Sequence, residues 1–269
     1  MEQDEALESR EYTRPIVKVE ETGDATVIRL VRPDRRNAMD ITMIRELSQA
    51  IRHANRNPHT RCVVIRGAGG NFSVGRDLTA AQEITRLGPV LEYDEAYVEV
   101  FENLAALSKP SVAVVQGLAV AGGFSLAMAC DFVLAQSDAQ FGALELRHGF
   151  PAAVNTVVLA HRITPRFALE LLLTKKTVSA QRLLQMGLVN RIAADEEELN
   201  ELAEEYVAAL AALDPVSVKL TKETHRAARN MPYADALVMA KQLNALLMTS
   251  GKITAAAAAA SVRDRDTDA

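Results

Sequence analysis

Two glycine-bearing segments constrain this chain more than any other feature. Phe72-Ser73-Val74-Gly75-Arg76-Asp77-Leu78 follows the apolar run Cys62-Val63-Val64-Ile65-Arg66, and Gly117-Leu118-Ala119-Val120-Ala121-Gly122-Gly123-Phe124-Ser125 follows Ser111-Val112-Ala113-Val114-Val115. Short β-branched runs closed by glycine read as buried parallel strands. After the second run, Gly122 and Gly123 open an apolar stretch, 124–130, that reads as a buried helix. The first turn of such a helix has free N–H groups at a positive dipole end. Isolated glycines of this kind serve tight turns and close packing of helix on sheet. Two such segments in one chain offer more, because each can aim a backbone N–H into one cleft and stabilise a developing oxyanion without side chains.

The flanking pattern is that of an α/β sheet protein. Residues 16–20 and 25–30 flank Thr22-Gly23-Asp24, which predicts a hairpin with alternating faces. Asp40 stands where an N-cap belongs, and Ile44, Leu47 and Ile51 follow at helical spacing, so a helix over 40–55 crosses back to the strand at Cys62 as a βαβ unit. A second helix is expected over 93–107 and a strand over 131–135. Thr164-Pro165 predicts a capped helix start, and Ser179 another that stops at Gly187. From Glu196 strand signals vanish, and stretches 196–213, 215–230 and 233–248 read as amphipathic helices. The chain therefore divides into a polar, frayed tail over 1–14, a core over 15–195 and a helical section over 196–269. The alanine run 255–260 reads as a final helix or as a loosely packed tail.

Composition excludes several functions without identifying one. The chain has 269 residues, 49% of them apolar, enough to bury a substantial core. A net charge of −5 gives no general reason to bind nucleic acid or an anionic membrane. Cys62 and Cys130 lie inside apolar runs and read as reduced core residues. The sequence shows no signal segment and no bilayer-length apolar run, so a cytoplasmic protein is expected. Its histidines lack the spacing of a zinc site, and no metal is expected. Gly67-Ala68-Gly69-Gly70 is not followed by the Lys-Ser/Thr of a phosphate loop, and there is no Gly-x-Ser-x-Gly elbow.

Arg32-Pro33-Asp34-Arg35-Arg36-Asn37-Ala38-Met39, then 72–78, then 117–131, then Ala139-Gln140-Phe141-Gly142-Ala143-Leu144-Glu145-Leu146-Arg147-His148-Gly149-Phe150-Pro151 occur in an order that resembles the enoyl-CoA hydratase/isomerase, or crotonase, superfamily. Each motif is weak alone; four in order, from Arg32 to about Asn190, are strong. The resemblance implies a spiral of ββα units followed by helices that build a homotrimer or a dimer of trimers. It implies an acyl-CoA substrate, with coenzyme A present as part of the thioester and no permanently bound cofactor. It places the oxyanion donors at the N–H of Arg76 and of Gly122, and matches Glu145 to the second of the two glutamates that hydratases use. Apolar Phe141, Leu144 and Leu146 around Glu145 would raise its pKa toward neutrality. On the coenzyme A side the matching positions are Arg35, Arg36, Ala38, Val74, Gly75, Arg76, Asp77 and Leu78. Here the arginines supply positive charge for phosphates, and backbone around Ala38 and Val74 would hold adenine. The Arg76 guanidinium itself reads as a solvated or phosphate-facing charge.

Two departures bear on the chemistry. Ser125 stands where hydratases place their first glutamate, and a hydroxyl cannot serve as a carboxylate base at pH 7. The Gly-Gly-Phe-Ser pattern with a later glutamate resembles hydroxycinnamoyl-CoA hydratase-lyases. Ser125 then either hydrogen-bonds a water or substrate while Glu145 moves the protons, or satisfies backbone N–H groups of its helix. His148 has the same two sides, a second proton carrier or a satisfied histidine at a strand end. The second departure is the alanine run, which replaces the C-terminal phenylalanine that closes the adenine slot in many relatives. The expected function is an acyl-CoA-processing enzyme of hydratase type, with hydration, isomerisation, decarboxylation, hydrolysis and carbon–carbon cleavage open. The reading of another class is a non-catalytic acyl-CoA-binding oligomer, which the missing first glutamate favours. Walls of the acyl pocket are expected from the 78–97 loop and the C-terminal helices.

Overall fold

The computed structural model describes residues 14–79 and 86–249. The tail expected over 1–14 and the alanine run 255–260 therefore fall outside the described residues, Arg14 apart. Strands β1 (Val17–Thr22) and β2 (Ala25–Leu30) form the expected hairpin, with Thr22 opposite Ala25 and Gly23 at φ +57° in the turn. Helix α1 (Ile41–Arg56) follows, capped as predicted by Asp40, whose Oδ1 accepts from Met43 N at 3.0 Å. The chain returns in β3 (Cys62–Gly67), parallel to β2, which completes the βαβ unit.

Helix α2 (Leu87–Ala106) begins earlier than 93. Gly88-Pro89 fall in its first turn, where a missing N–H removes no helical hydrogen bond. Strand β4 (Ser111–Val115) pairs parallel with β3. Then come β5 (Leu118–Val120), α3 (Gly122–Ala129), β6 (Phe132–Gln136) and β7 (Gln140–Gly142). After a 3-10 turn at Glu145–His148 lie α4 (Ala153–Ala160), α5 (Pro165–Leu173), β8 (Val178–Ser179), α6 (Ala180–Gln185) and β9 (Arg191–Ala193). Ser179 caps α6 through its hydroxyl as expected, whereas Thr164 makes no side-chain cap and α5 starts on Pro165 alone.

The main sheet runs β1-β2-β3-β4-β6-β9, and a small sheet runs β5-β7-β8. The small sheet escaped the sequence because its strands are two or three residues long and carry no periodicity. In the main sheet, alternate residues of one strand go to different cores: Val63, Ile65, Ala113 and Val115 to the core shared with α1, α2 and α3, and Cys62, Val64, Val112 and Val114 to a second one. Both faces are covered, which is why these strands read as unbroken apolar runs. Each fully buried Val or Ile there contributes about 1.5–3 kcal/mol.

Helix α7 (Glu196–Ala211) supplies Leu199 and Ala203 to that second core. One compact unit runs through Pro215, with α7 covering the outer face of the sheet. The second unit, from Val216, holds α8 (Pro215–Ala228) after its first residue and α9 (Tyr233–Thr249), as the sequence pattern anticipated. No helix among the described residues is long and apolar enough to cross a membrane. No group of three or more His, Cys, Asp and Glu among them stands ready to hold a metal.

A buried polar knot joins the first two motifs. The Arg32 guanidinium donates to Ala38 O at 2.6 Å and Asp77 Oδ2 at 3.0 Å, with Asp40 Oδ2 at 3.5 Å. All three ionised side chains are under 8% exposed. A lone buried charge is costly, and here one cation faces two carboxylates. Arg32→Met is expected to destabilise the fold by about 3–5 kcal/mol, since it strands Asp40 and Asp77 without their cation; equilibrium urea unfolding measures the loss.

Candidate active site

The knot orients the segment that carries Gly75. Asn37, at φ +56°, donates from Nδ2 to Ala68 O (2.9 Å) and Asn71 O (2.8 Å) and accepts Arg32 N at Oδ1 (2.9 Å). Ser73 Oγ donates to Asn37 O (2.8 Å) and accepts Gly75 N (3.1 Å). On either side of Arg76, Met39 N donates to Gly75 O (2.7 Å) and Asp77 N to Met39 O (2.8 Å). The Arg76 N–H between them has no acceptor among the described residues.

Gly75 has φ +89°, and a Cβ there would stand 2.5 Å from Gly122 N. A Cβ on Gly123 would stand 2.1 Å from Ser73 O. Side chains at these positions would push the two segments apart. Gly122 opens α3, and its N–H likewise has no acceptor among the described residues. Ala121, just before it, is held at φ +48°, a strained conformation for alanine that costs about 1–3 kcal/mol. Its carbonyl accepts from Phe124 N, Ser125 N and Asn155 Nδ2 (3.0, 3.2 and 3.0 Å), which holds the turn in place.

A cavity of about 630 Å³ opens beside these two segments. Arg76 and Gly122 line it, as does Glu145 at the start of the 3-10 turn. Glu145 Oε1 accepts from Asn155 Nδ2 at 2.8 Å, while Oε2 is buried without a partner. Burial pushes the Glu145 carboxyl above the ordinary glutamate value, against the lowering effect of its own backbone contact and of Asn155. Asn155 is wholly buried, and its Oδ1 also lacks a partner.

The remaining expected positions divide. Arg36, Val74 and Leu78 line the cavity. Arg35 lies exposed on the Pro33–Arg35 turn and does not. Ala38 is buried, with its amide donating to Arg35 O and its carbonyl taken by Arg32; Asp77 is tied to Arg32 in the buried knot. Neither is among the residues lining the cavity, and both hold the framework of the segment through these hydrogen bonds. The Arg76 guanidinium is a third exposed and has partners on the protein. It pairs with Asp94 at 2.7 Å and lies over the Tyr93 ring at 4.3 Å. Ser125 is 1% exposed and is not among the residues lining the cavity, and its Oγ has no hydrogen-bond partner among the described residues, so it does not cap its helix. His148 lines the cavity and stacks on Phe150, ring centroids 6.0 Å apart.

Two residues of the site were missed by sequence reasoning. Asn155 is a lone amide in the apolar run Ala153-Val154-Asn155-Thr156-Val157-Val158, a signal that a buried polar role was waiting. Tyr97 lines the cavity from α2, where only Leu78 and Tyr97 were named as limits of a wall.

The family model for enoyl-CoA hydratase/isomerase matches residues 20–258. The chain belongs to that family. A Thermus thermophilus protein provisionally named an enoyl-CoA hydratase is 37% identical over 87% of this chain and 92% of its own length. The hydroxycinnamoyl-CoA hydratase-lyase of Pseudomonas fluorescens is 31% identical over 81% of this chain and 80% of its own. Among solved structures, an enoyl-CoA hydratase of Mycobacterium smegmatis superposes with a TM-score of 0.83 at 25% identity, covering 87% of this chain and 91% of that one. The α/β architecture is thus the crotonase fold, and the chain is an enzyme of the hydratase/isomerase family.

In this enoyl-CoA hydratase/isomerase family member, the two free amides keep their spacing only while Gly75 has no side chain. Gly75→Ala is expected to lower kcat about 10²-fold on whichever thioester is turned over, with far-UV circular dichroism unchanged. Steady-state kinetics on the purified variant measures it.

Proposed function

We propose that the protein is a hydratase-type lyase acting on α,β-unsaturated acyl-CoA thioesters, with the N–H groups of Arg76 and Gly122 binding the thioester oxygen and Glu145 as the single acid/base. The observation that carries this is the Glu145 carboxyl: one oxygen is held by Asn155, and the other is buried, unpartnered and in a residue lining the same cavity as the two free amides. A buried carboxylate with no structural duty for its second oxygen, and with its pKa raised above the ordinary glutamate value, is suited to carry a proton.

The steps balance with that one group. Carboxylate Glu145 accepts a proton from water as the water oxygen bonds to C3, and electrons move through C2=C3 onto the thioester oxygen. The two amides stabilise the resulting enolate. Protonated Glu145 then returns the proton to C2, so that H and OH have added across the double bond. Asn155 keeps Oε1 in place throughout, leaving Oε2 to carry the proton. Arg36 and the Val74 backbone, at the cavity wall, support coenzyme A binding on the same reading. Where the 3-hydroxy product bears a second ionisable hydroxyl in conjugation, carbon–carbon cleavage can follow, the hydratase-lyase outcome that the Pseudomonas fluorescens relative's name describes.

Incubation with crotonyl-, 3-enoyl-, feruloyl- and β-ketoacyl-CoA, with products identified by mass spectrometry, tests the reading. Water addition or aldehyde release supports it, and absence of any product refutes it. Glu145→Gln is expected to lower kcat about 10²–10⁴-fold. Because the native pKa is raised above that of the unfolded chain, ionised Glu145 opposes folding. Its contribution favours the fold at low pH and is lost as pH rises through the raised value. Glu145→Gln therefore raises the thermal midpoint at neutral pH while it removes turnover. For the active protein, the acid limb of kcat/KM lies above the ordinary glutamate value.

We further infer a homotrimer, or two stacked. In the second unit, α8 buries no residue, and Leu237, Leu246 and Met248 of α9 are 53%, 68% and 62% exposed, apolar surface suited to a second copy. Sedimentation velocity is expected to give a mass of three or six chains.

A further inference from the structure

Tyr97 enters the site from α2 and is 5% exposed. Its ring is fixed on two sides, edge-on against Phe101 at 5.0 Å and with the Arg76 guanidinium 5.3 Å from its centroid. Its hydroxyl is packed against the start of α3: a Cβ on Gly122 would stand 2.4 Å from Tyr97 Oη. The phenol is thus held beside one of the two free amides, in a residue that lines the cavity.

What the hydroxyl lacks is a backbone acceptor. Tyr93, one turn earlier on the same helix, donates to Met39 O at 2.8 Å. The nearest polar side chain to Tyr97 Oη is Ser125, which favours the ionised phenol through its hydroxyl, and no backbone carbonyl takes the Tyr97 proton among the described residues. A rigid O–H at a cavity wall, beside an N–H that is equally unmatched, is placed for a ligand oxygen.

The electrostatics agree with a donor. Burial dominates and drives the phenol well above the usual tyrosine value, so it keeps its proton at neutral pH. Ser125 and the Arg76 guanidinium work in the opposite direction, which makes the retained proton a better one to share. Glu145, by contrast, disfavours a phenolate.

We propose that Tyr97 Oη is a third hydrogen-bond donor to the thioester oxygen, acting with the N–H groups of Arg76 and Gly122. Tyr97 shares its proton and does not release it, so no further acid or base enters the reaction. The proposal rests on the oxyanion reading of the cavity. It also gives Ser125 a part: buried behind the wall, it biases the phenol and does not touch substrate. The side chain beside the place of the missing first glutamate is then a neutral donor, which favours reactions that pass through an enolate over those needing a second carboxylate.

The probe is cinnamoyl-CoA bound to Glu145→Gln, which holds the ester unreacted. Polarising its conjugated carbonyl shifts the ultraviolet band to longer wavelength. The expected result is a clear red shift on binding, part of which is lost when Tyr97→Phe is added. Replacing Tyr97 site-specifically by 3-fluorotyrosine, a more acidic phenol of nearly the same shape, is expected to move the band further red. With Glu145 intact, Tyr97→Phe lowers kcat about 10²-fold with little change in KM. A full red shift in Tyr97→Phe, or no response to the fluorinated residue, overturns the Tyr97 proposal and leaves the two-amide reading standing. No red shift, or no binding, with Tyr97 in place overturns the oxyanion reading itself.

Discussion

The contact between Gly75 and Gly122 is the constraint on which the rest of the site depends. A Cβ on Gly75 would stand 2.5 Å from the Gly122 nitrogen, so two backbone segments separated by nearly fifty residues meet with no side chain between them. Only this approach can bring the amides of Arg76 and Gly122 to one cavity. The tertiary structure holds it from both sides. Asn37, Ser73 and the Arg32 knot fix the first segment, while Ala121, strained at φ +48° and tied through its carbonyl to Asn155, fixes the second. Strain concentrated beside a free amide is the pattern expected where geometry serves chemistry more than stability.

The buried polar atoms tell the same story energetically. Ser125 Oγ, Glu145 Oε2 and Asn155 Oδ1 lack partners among the described residues, and all three residues belong to the neighbourhood of the Ala121 carbonyl: the Ser125 amide and Asn155 Nδ2 donate to it, and Glu145 accepts from Asn155. Each unmatched buried atom costs about 1–3 kcal/mol. The fold tolerates that cost because its main sheet is buried on both faces by two separate apolar cores. A large, redundant core supports a small, underbonded site.

Much of the framework was legible in the chain because it is local. The Thr22-Gly23-Asp24 hairpin, the Asp40 cap and the two β-branched strands follow from residue types a few positions apart, and all appear at those positions. The small sheet did not, since two- and three-residue strands have no period to read. The helix at Glu196 was anticipated but its allegiance was not: that α7 closes the second core depends on which face of the sheet remains open after α1 and α2 have packed on the other.

The site divides along the same line. Sequence order alone, with four motifs in succession, pointed to the family that the family model matches, and singled out Glu145 and the two glycine segments as candidate site residues. Tertiary structure decided which of the neighbouring residues face the cavity: Arg36 and Val74 do, whereas Ala38 and Asp77 are drawn into the Arg32 knot and Ser125 Oγ is buried with no hydrogen-bond partner among the described residues. It alone brought Asn155 to Glu145 and Tyr97 to Gly122. The physical reason is that motifs record backbone conformation, which glycines and caps dictate locally. Whether a side chain meets water, a ligand or another side chain is set by packing between segments far apart in the chain.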